Sequence, residues 1–185
     1  MLETFITEVS HWHKEVIRYM FTRILVAIDD SDSNEVTLSF VLALAKQSSA
    51  AVRVVHVNEF LVGGRGTTME TQPEAIQRLE TAVTALRDAG ISSDGSLYLT
   101  SVFGVDARIV NAAHDWSADV IVLGSRRRHR FVRFGGKGMR ERVTRLTALP
   151  ILTAPAPLKV TDGRLPELPE VSSKRQPVDF PSISI

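Results

Sequence analysis

Two groups of residues in this 185-residue chain could do chemistry, and they carry opposite charge. The first is the acidic pair Asp29-Asp30, which closes a short apolar run, Arg23–Ile28 (RILVAI). The second starts at Gly124-Ser125, directly after the run Asp119–Leu123 (DVIVL), and leads into a basic stretch. From Arg126 to Arg145 that stretch holds nine bases (Arg126, Arg127, Arg128, Arg130, Arg133, Lys137, Arg140, Arg142 and Arg145) and one acid, Glu141. Carboxylates can accept hydrogen bonds from a base or a ribose, and guanidinium groups pair bidentately with phosphate oxygens. Brought into one cleft, the two groups would suit a nucleotide. The chain as a whole has 22 bases and 21 acids, so outside this stretch 13 bases face 20 acids, a net of −7. One strongly positive segment on an otherwise acidic protein attracts anions. The plainer reading of the same run is a solvated, charged helix face.

The elements that must position these residues alternate regularly. RILVAI is β-branched and apolar at nearly every position, the pattern of a parallel strand buried on both faces. Ser31, Asp32, Ser33 and Asn34 follow as candidate helix caps, with Asp32-x-x-Glu35 in capping-box spacing. Val36, Leu38, Val41, Leu42 and Ala45 then recur at helical spacing up to Ser48. A second strand is expected at Val52–Val57, followed by a loop rich in glycine (Gly63, Gly64, Gly66). Thr71-Gln72-Pro73-Glu74 starts a second helix, which Ile76, Leu79, Val83 and Leu86 carry to Gly90. Further strands are expected at Ser96–Val102, Asp119–Leu123 and Pro150–Thr153, with helices opened by Gly104 and spanning Met139–Leu146. Right-handed crossovers then give an α/β fold: an open five-stranded parallel sheet with helices on both faces, Rossmann-like. In such sheets ligands bind at the carboxyl ends of the strands, where the strand order reverses. With order 3-2-1-4-5, that crevice lies between the first and fourth strands, where Asp29 and Gly124 both end their runs.

Other chemistries fit poorly. With no cysteine, disulfides, thiolate metal sites and cysteine nucleophiles are excluded. His11 and His13 stand two apart, on different faces of a helix, so no metal site is expected from them. A phospho-accepting receiver domain needs an aspartate ending the third strand and a lysine ending the fifth. Here Thr100-Ser101-Val102 and Leu152-Thr153-Ala154 stand there. Gly135-Gly136-Lys137-Gly138 lacks the spacing of a Walker loop. A hydrolase would need more than Asp29 and Asp30, which serve better as base contacts or helix caps. No catalytic residues are assigned, although weak ATP hydrolysis is left open. His56 and His114 are expected to be packing or surface residues.

The segments ILVAIDDS, His56-Val57, Gly104 before a helix, and ADVIVLGSR followed by ERV and PIL together resemble the universal stress protein family, over about residues 21–155. The resemblance implies that Asp29 meets an adenine base and that Val57 lines its pocket. It also implies a phosphate loop of pattern Gly-x2-Gly-x9-Gly-Ser/Thr, whose backbone N–H groups reach the phosphates at a helix N-terminus. Gly124 supplies the first glycine. Arg127 stands at the second, Lys137 at the third, and Gly138 at the hydroxyl position. A slip of one residue would put Gly136 or Gly138 at the third. A branch of the family lacks this loop, and the departures lean toward it. Side chains of Arg126, Arg127 and Lys137 are candidate phosphate ligands in place of the missing glycines.

Residues 1–20 form an expected amphipathic helical extension, with Leu2, Phe5, Ile6, Val9, Trp12, Val16 and Ile17 in one stripe, unless translation starts at Met20. Residues 21–157 make up the domain. Residues 158–185 form a tail expected to be disordered, since six of the eight prolines fall after Ala154. The charged N-terminus and the lack of a long apolar run imply a cytoplasmic protein with no membrane partner. The expected function is stress-type regulation by binding rather than catalysis. The expected assembly is a homodimer through the fifth strand, which the resemblance implies, with the N-terminal helix free to recruit a protein partner. Two alternatives stand beside it: a genuine sensor of ATP, AMP or cyclic AMP, and a nucleic-acid binder using residues 126–145 with Phe131 and Phe134 stacking on bases. The acidic remainder of the molecule speaks against the last.

Overall fold

A computed structural model describes residues 21–29, 34–60, 68–125 and 138–156. In chain order the elements are β1 (Arg23–Ile28), α1 (Asn34–Ser48), β2 (Ala51–Phe60), α2 (Gln72–Asp88), β3 (Ser93–Ser101), α3 (Val105–Asp115), β4 (Val120–Leu123), α4 (Met139–Leu146) and β5 (Ile151–Thr153). The strands form one sheet of order β3-β2-β1-β4-β5, and every pairing is parallel. The expected strand order and alternation are therefore observed. The N-terminal helix, the capping residues Ser31 and Asp32, the glycine loop, most of the basic stretch and the proline-rich tail lie outside the described residues.

Residue parity along the central strands divides the core into two layers. Ile24, Val26 and Ile28 of β1 pack with Val52 and Val54 of β2, Val41 of α1, and Val83 and Leu86 of α2. Leu25 faces the other way, with Val55 and Val57 of β2, Ile109 and Val110 of α3, Leu123 of β4 and Val143 of α4. Ile24, Leu25 and Val26 are all fully buried, as expected of a strand covered on both faces.

Turn chemistry ends the helices. Gly90, after α2, takes φ +85°, where a Cβ would be strained. Ser49 and Ser117, after α1 and α3, take φ 55° and 54° without being glycine. At the start of α2, Glu74 Oε2 accepts from the Thr71 N–H (2.9 Å) and from Thr71 Oγ1 (2.6 Å). These bonds hold the Glu74 carboxyl below its usual range.

The amino edge of the sheet is closed by a polar clamp. Asp119 Oδ2 accepts from the backbone N–H groups of Thr22 (2.7 Å) and Arg23 (3.1 Å), tying the start of β1 to the start of β4. Arg23 and Arg53 both stack on the Trp116 ring, at 4.4 and 5.0 Å from its centroid, and Arg23 also donates to the Trp116 carbonyl. Arg53 grips Asp94 of β3 with two bonds, 2.6 Å from Nε and 2.5 Å from the terminal nitrogen. The hydrogen bond to Arg53 holds Asp94 below the ordinary aspartate range, and the same bond raises the arginine.

Candidate functional site

Strand register places the candidate residues. Ile28 stands opposite His56 on β2, and Ala27 opposite Leu123 on β4. Asp29, one residue beyond β1, is therefore level with Val57, and Gly124 directly follows β4. All three gather at the carboxyl edge, around the point where the chain order of the strands reverses.

Each position has a local cause. The side chain of Asn34, the first residue of α1, turns back on the residue ending β1. Its Oδ1 accepts from the Asp29 N–H at 3.3 Å, and its Nδ2 donates to the Asp29 carbonyl at 2.5 Å. That pair of bonds fixes the β1–α1 corner. Val57 is buried in the core layer that includes Val105 and Ile109 of α3. Gly124 closes the other side: a Cβ there would stand 3.3 Å from Thr37 Oγ1 of α1. Its glycine character serves the close approach of β4 to α1. Ser125 Oγ donates to the Pro155 carbonyl at 3.1 Å, and the Ala154 N–H to the Leu123 carbonyl at 2.9 Å, so the chain after β5 runs along the same edge.

Gly138 is the N-cap of α4, at φ −63° and ψ 157°, with no side-chain cap bond. Among the described residues, a Cβ added there would meet nothing within 4 Å. Its backbone is one that any residue adopts. Arg126, Arg127 and Lys137 lie outside the described residues, so the phosphate-facing role expected of them stays an expectation.

Of the three described bases in the stretch, Arg142 and Arg145 have structural partners. Arg142 Nε bonds Asp106 Oδ2 at 3.0 Å, joining the first turns of α3 and α4, and Arg145 pairs with Glu141 at 2.9 Å across one helical turn. His56 also departs from expectation. It is 2% exposed, with Nδ1 at 3.2 Å from the Ile28 carbonyl and Nε2 at 2.7 Å from Glu70 Oε2. The acid stands fourteen residues away in sequence, beyond a loop, where no motif spacing would reveal it. Asn34 was recognisable as a helix-cap type, but its grip on Asp29 was not.

The fold and this edge define a doubly wound α/β domain with its polar residues assembled at a strand-order reversal. The sequence model of the universal stress protein family matches residues 20–154, and the chain belongs to that family. Among solved structures it is similar to a universal stress protein from Archaeoglobus fulgidus in complex with dAMP. The two share 26% identity over 74% of this chain and 99% of that one, with a TM-score of 0.55. A universal stress protein structure from Archaeoglobus fulgidus shares 28% identity over 74% and 95% of the two chains, TM-score 0.57. A family member from Burkholderia pseudomallei has the same fold at 24% identity over 74% and 98%, TM-score 0.57. A search of curated proteins finds no match. Among the described residues no helix is long and apolar enough to cross a membrane.

Proposed function

We propose that this chain is a non-enzymatic regulatory protein of the stress response, acting in the cytoplasm, whose β1–β4 crevice takes an adenine nucleotide with few phosphates. The observation that carries this reading is the convergence of Asp29, Val57 and Gly124 at one edge, with the Asp29 backbone fixed by Asn34. Asp29 and Val57 belong to the half of the site that holds the base, and Gly124 opens the half that faces the phosphate. The dAMP complex of the Archaeoglobus relative, which carries a single phosphate, supports a mononucleotide. Arg127 and Lys137, in place of loop glycines, disfavour the tight backbone cradle that a triphosphate needs. Gly138 nevertheless presents the N-terminus of α4 without a side-chain cap. Side chains of Arg126, Arg127 and Lys137 would then take the place of missing backbone donors. Homodimerisation through β5 fits this scheme: the strand is an edge with half-exposed residues, and Leu146 beside it in sequence is 49% exposed.

The test is calorimetric titration with AMP, dAMP, cyclic AMP and ATP, with and without magnesium, in parallel with Asp29→Ala. Binding of AMP tighter than ATP, weakened about tenfold or more by the substitution, is the expected result, since a hydrogen bond to a charged group is worth about 1.5–3 kcal/mol. No heat at millimolar nucleotide would overturn the nucleotide reading. It would favour a second one, in which the domain regulates by docking proteins and the altered loop leaves the crevice without a phosphate ligand.

A further inference from the structure

His56 connects three things that meet nowhere else. Its Nδ1 reaches the carbonyl of Ile28 at 3.2 Å. That carbonyl belongs to the peptide unit whose N–H is Asp29's, and this N–H donates to Asn34 Oδ1 at 3.3 Å. One peptide plane is thus held at both polar atoms, by Asn34 from α1 and by His56 from β2. The other ring nitrogen reaches Glu70 at 2.7 Å, immediately before the N-cap of α2.

Glu70 is itself pinned. Arg78, in the second turn of α2, bonds Glu70 Oε1 at 2.9 Å from Nε and 2.8 Å from a terminal nitrogen. Asn58 Nδ2 donates to the Glu70 carbonyl at 2.9 Å, so the main chain of Glu70 is tied to β2 as well. The reverse orientation of that amide would set oxygen against oxygen.

We infer that His56 is a positioning residue for Asp29: it fixes the Ile28–Asp29 peptide, and Glu70 with Arg78 fixes the imidazole. The inference deepens the proposed nucleotide site and rests on it for the binding readout. It extends the site from the carboxyl edge of the sheet to the start of α2, through a residue buried beneath that edge.

Two amide substitutions separate the two bonds of the ring. Asparagine places its side-chain nitrogen where Nδ1 stands, and glutamine places its own where Nε2 stands. His56→Asn therefore keeps the donor to Ile28, and His56→Gln keeps the tie to Glu70. Against His56→Ala as the full loss, the readouts are AMP affinity and the amide NMR signals of Asp29 (backbone) and Asn34 (side chain). The expected result is rescue by asparagine alone: its Asp29 and Asn34 signals stay near the native positions, while those of the glutamine and alanine variants move. AMP binding weakens roughly tenfold in the glutamine variant, the effect of one well-placed hydrogen bond, and recovers most of that in the asparagine variant. Equal shifts in the asparagine and glutamine variants, or rescue by glutamine, would overturn the inference. Glu70→Gln, which leaves the Ile28 bond in place, supplies the same comparison if the His56 variants do not fold. Should the native protein bind no AMP, the nucleotide reading falls alone, and the Asp29 and Asn34 signals still decide the positioning role.

Discussion

Gly124→Ala tests whether the crevice wall is set by close packing. The position is not in the left-handed region, so alanine meets no backbone strain there; among the described residues, an added Cβ comes close only to Thr37 Oγ1, at 3.3 Å. That contact is tighter than nearly all real Cβ contacts, and the hydroxyl must retreat by a few tenths of an ångström. Thr37 is 2% exposed and β-branched within α1, so its side chain has little freedom to turn. Overpacking of this kind costs about 1–3 kcal/mol, and a single mild contact places the cost near 1 kcal/mol. For a chain of this size that is a fall in Tm of about 2–4 °C. Urea unfolding of wild type, Gly124→Ala, Thr37→Ala and the double variant measures it. The double variant should recover most of the cost, a coupling of about 1 kcal/mol between the two positions. A neutral Gly124→Ala, or additive effects in the cycle, would refute the close-approach account and leave the glycine explained only by ligand.

Three further outcomes follow from the geometry. Gly138→Ser introduces a hydroxyl where backbone and space both accept it, and should stabilise α4 by a few tenths of a kcal/mol in thermal unfolding while tightening AMP binding; a loss of stability would contradict the open N-cap. Asp94 is held below its ordinary range by Arg53, so its stabilising contribution is present above about pH 4 and is lost as pH falls through the lower folded value. Because the pair is partly exposed, the effect is at most about 1 kcal/mol. Asp94→Asn should flatten the acid limb of a pH–stability curve, and an unchanged limb would count against it. Ser117, at φ 54°, should accept glycine with little change, whereas Ser117→Val should cost about 1–2 kcal/mol in urea unfolding; equal stability of the two would show that the turn can relax.

What could be read from the sequence follows from how local the physics is. RILVAI announces a doubly buried strand, because the residues after Arg23 answer to the same two apolar layers. Gly90 and Gly104 mark a helix end and a helix start for equally local reasons. The start of β3 was hidden: Ser93, Asp94 and Gly95 look like a turn. They are strand because Arg53 ties Asp94 across the sheet and because Gly95 lets α2 come close, a Cβ there falling 2.9 Å from Leu79 and Val83 side-chain carbons. The expected β2 stopped at Val57, yet the ladder runs to Phe60, with Asn58 and Glu59 paired to Leu99 and Thr100. At the site, Asp29 and Gly124 were recognisable as strand ends, whereas Val57 stands three residues short of the end of β2. The Asp106–Arg142 and His56–Glu70 bonds were not, since each joins residues brought together only by the fold.

The clamp of Trp116, Arg23, Arg53, Asp94 and Asp119 stands at the amino edge of the sheet, opposite the edge that holds Asp29 and Gly124. Strand alignment is thus secured at one edge of the sheet, independently of the edge that holds the candidate site. Such a division lets residues at the carboxyl edge change in chemistry without forfeiting the scaffold. It also marks the sequence 126–137 as the place to graft a new specificity: it could be rewritten for another anion while the clamp keeps the strands in register.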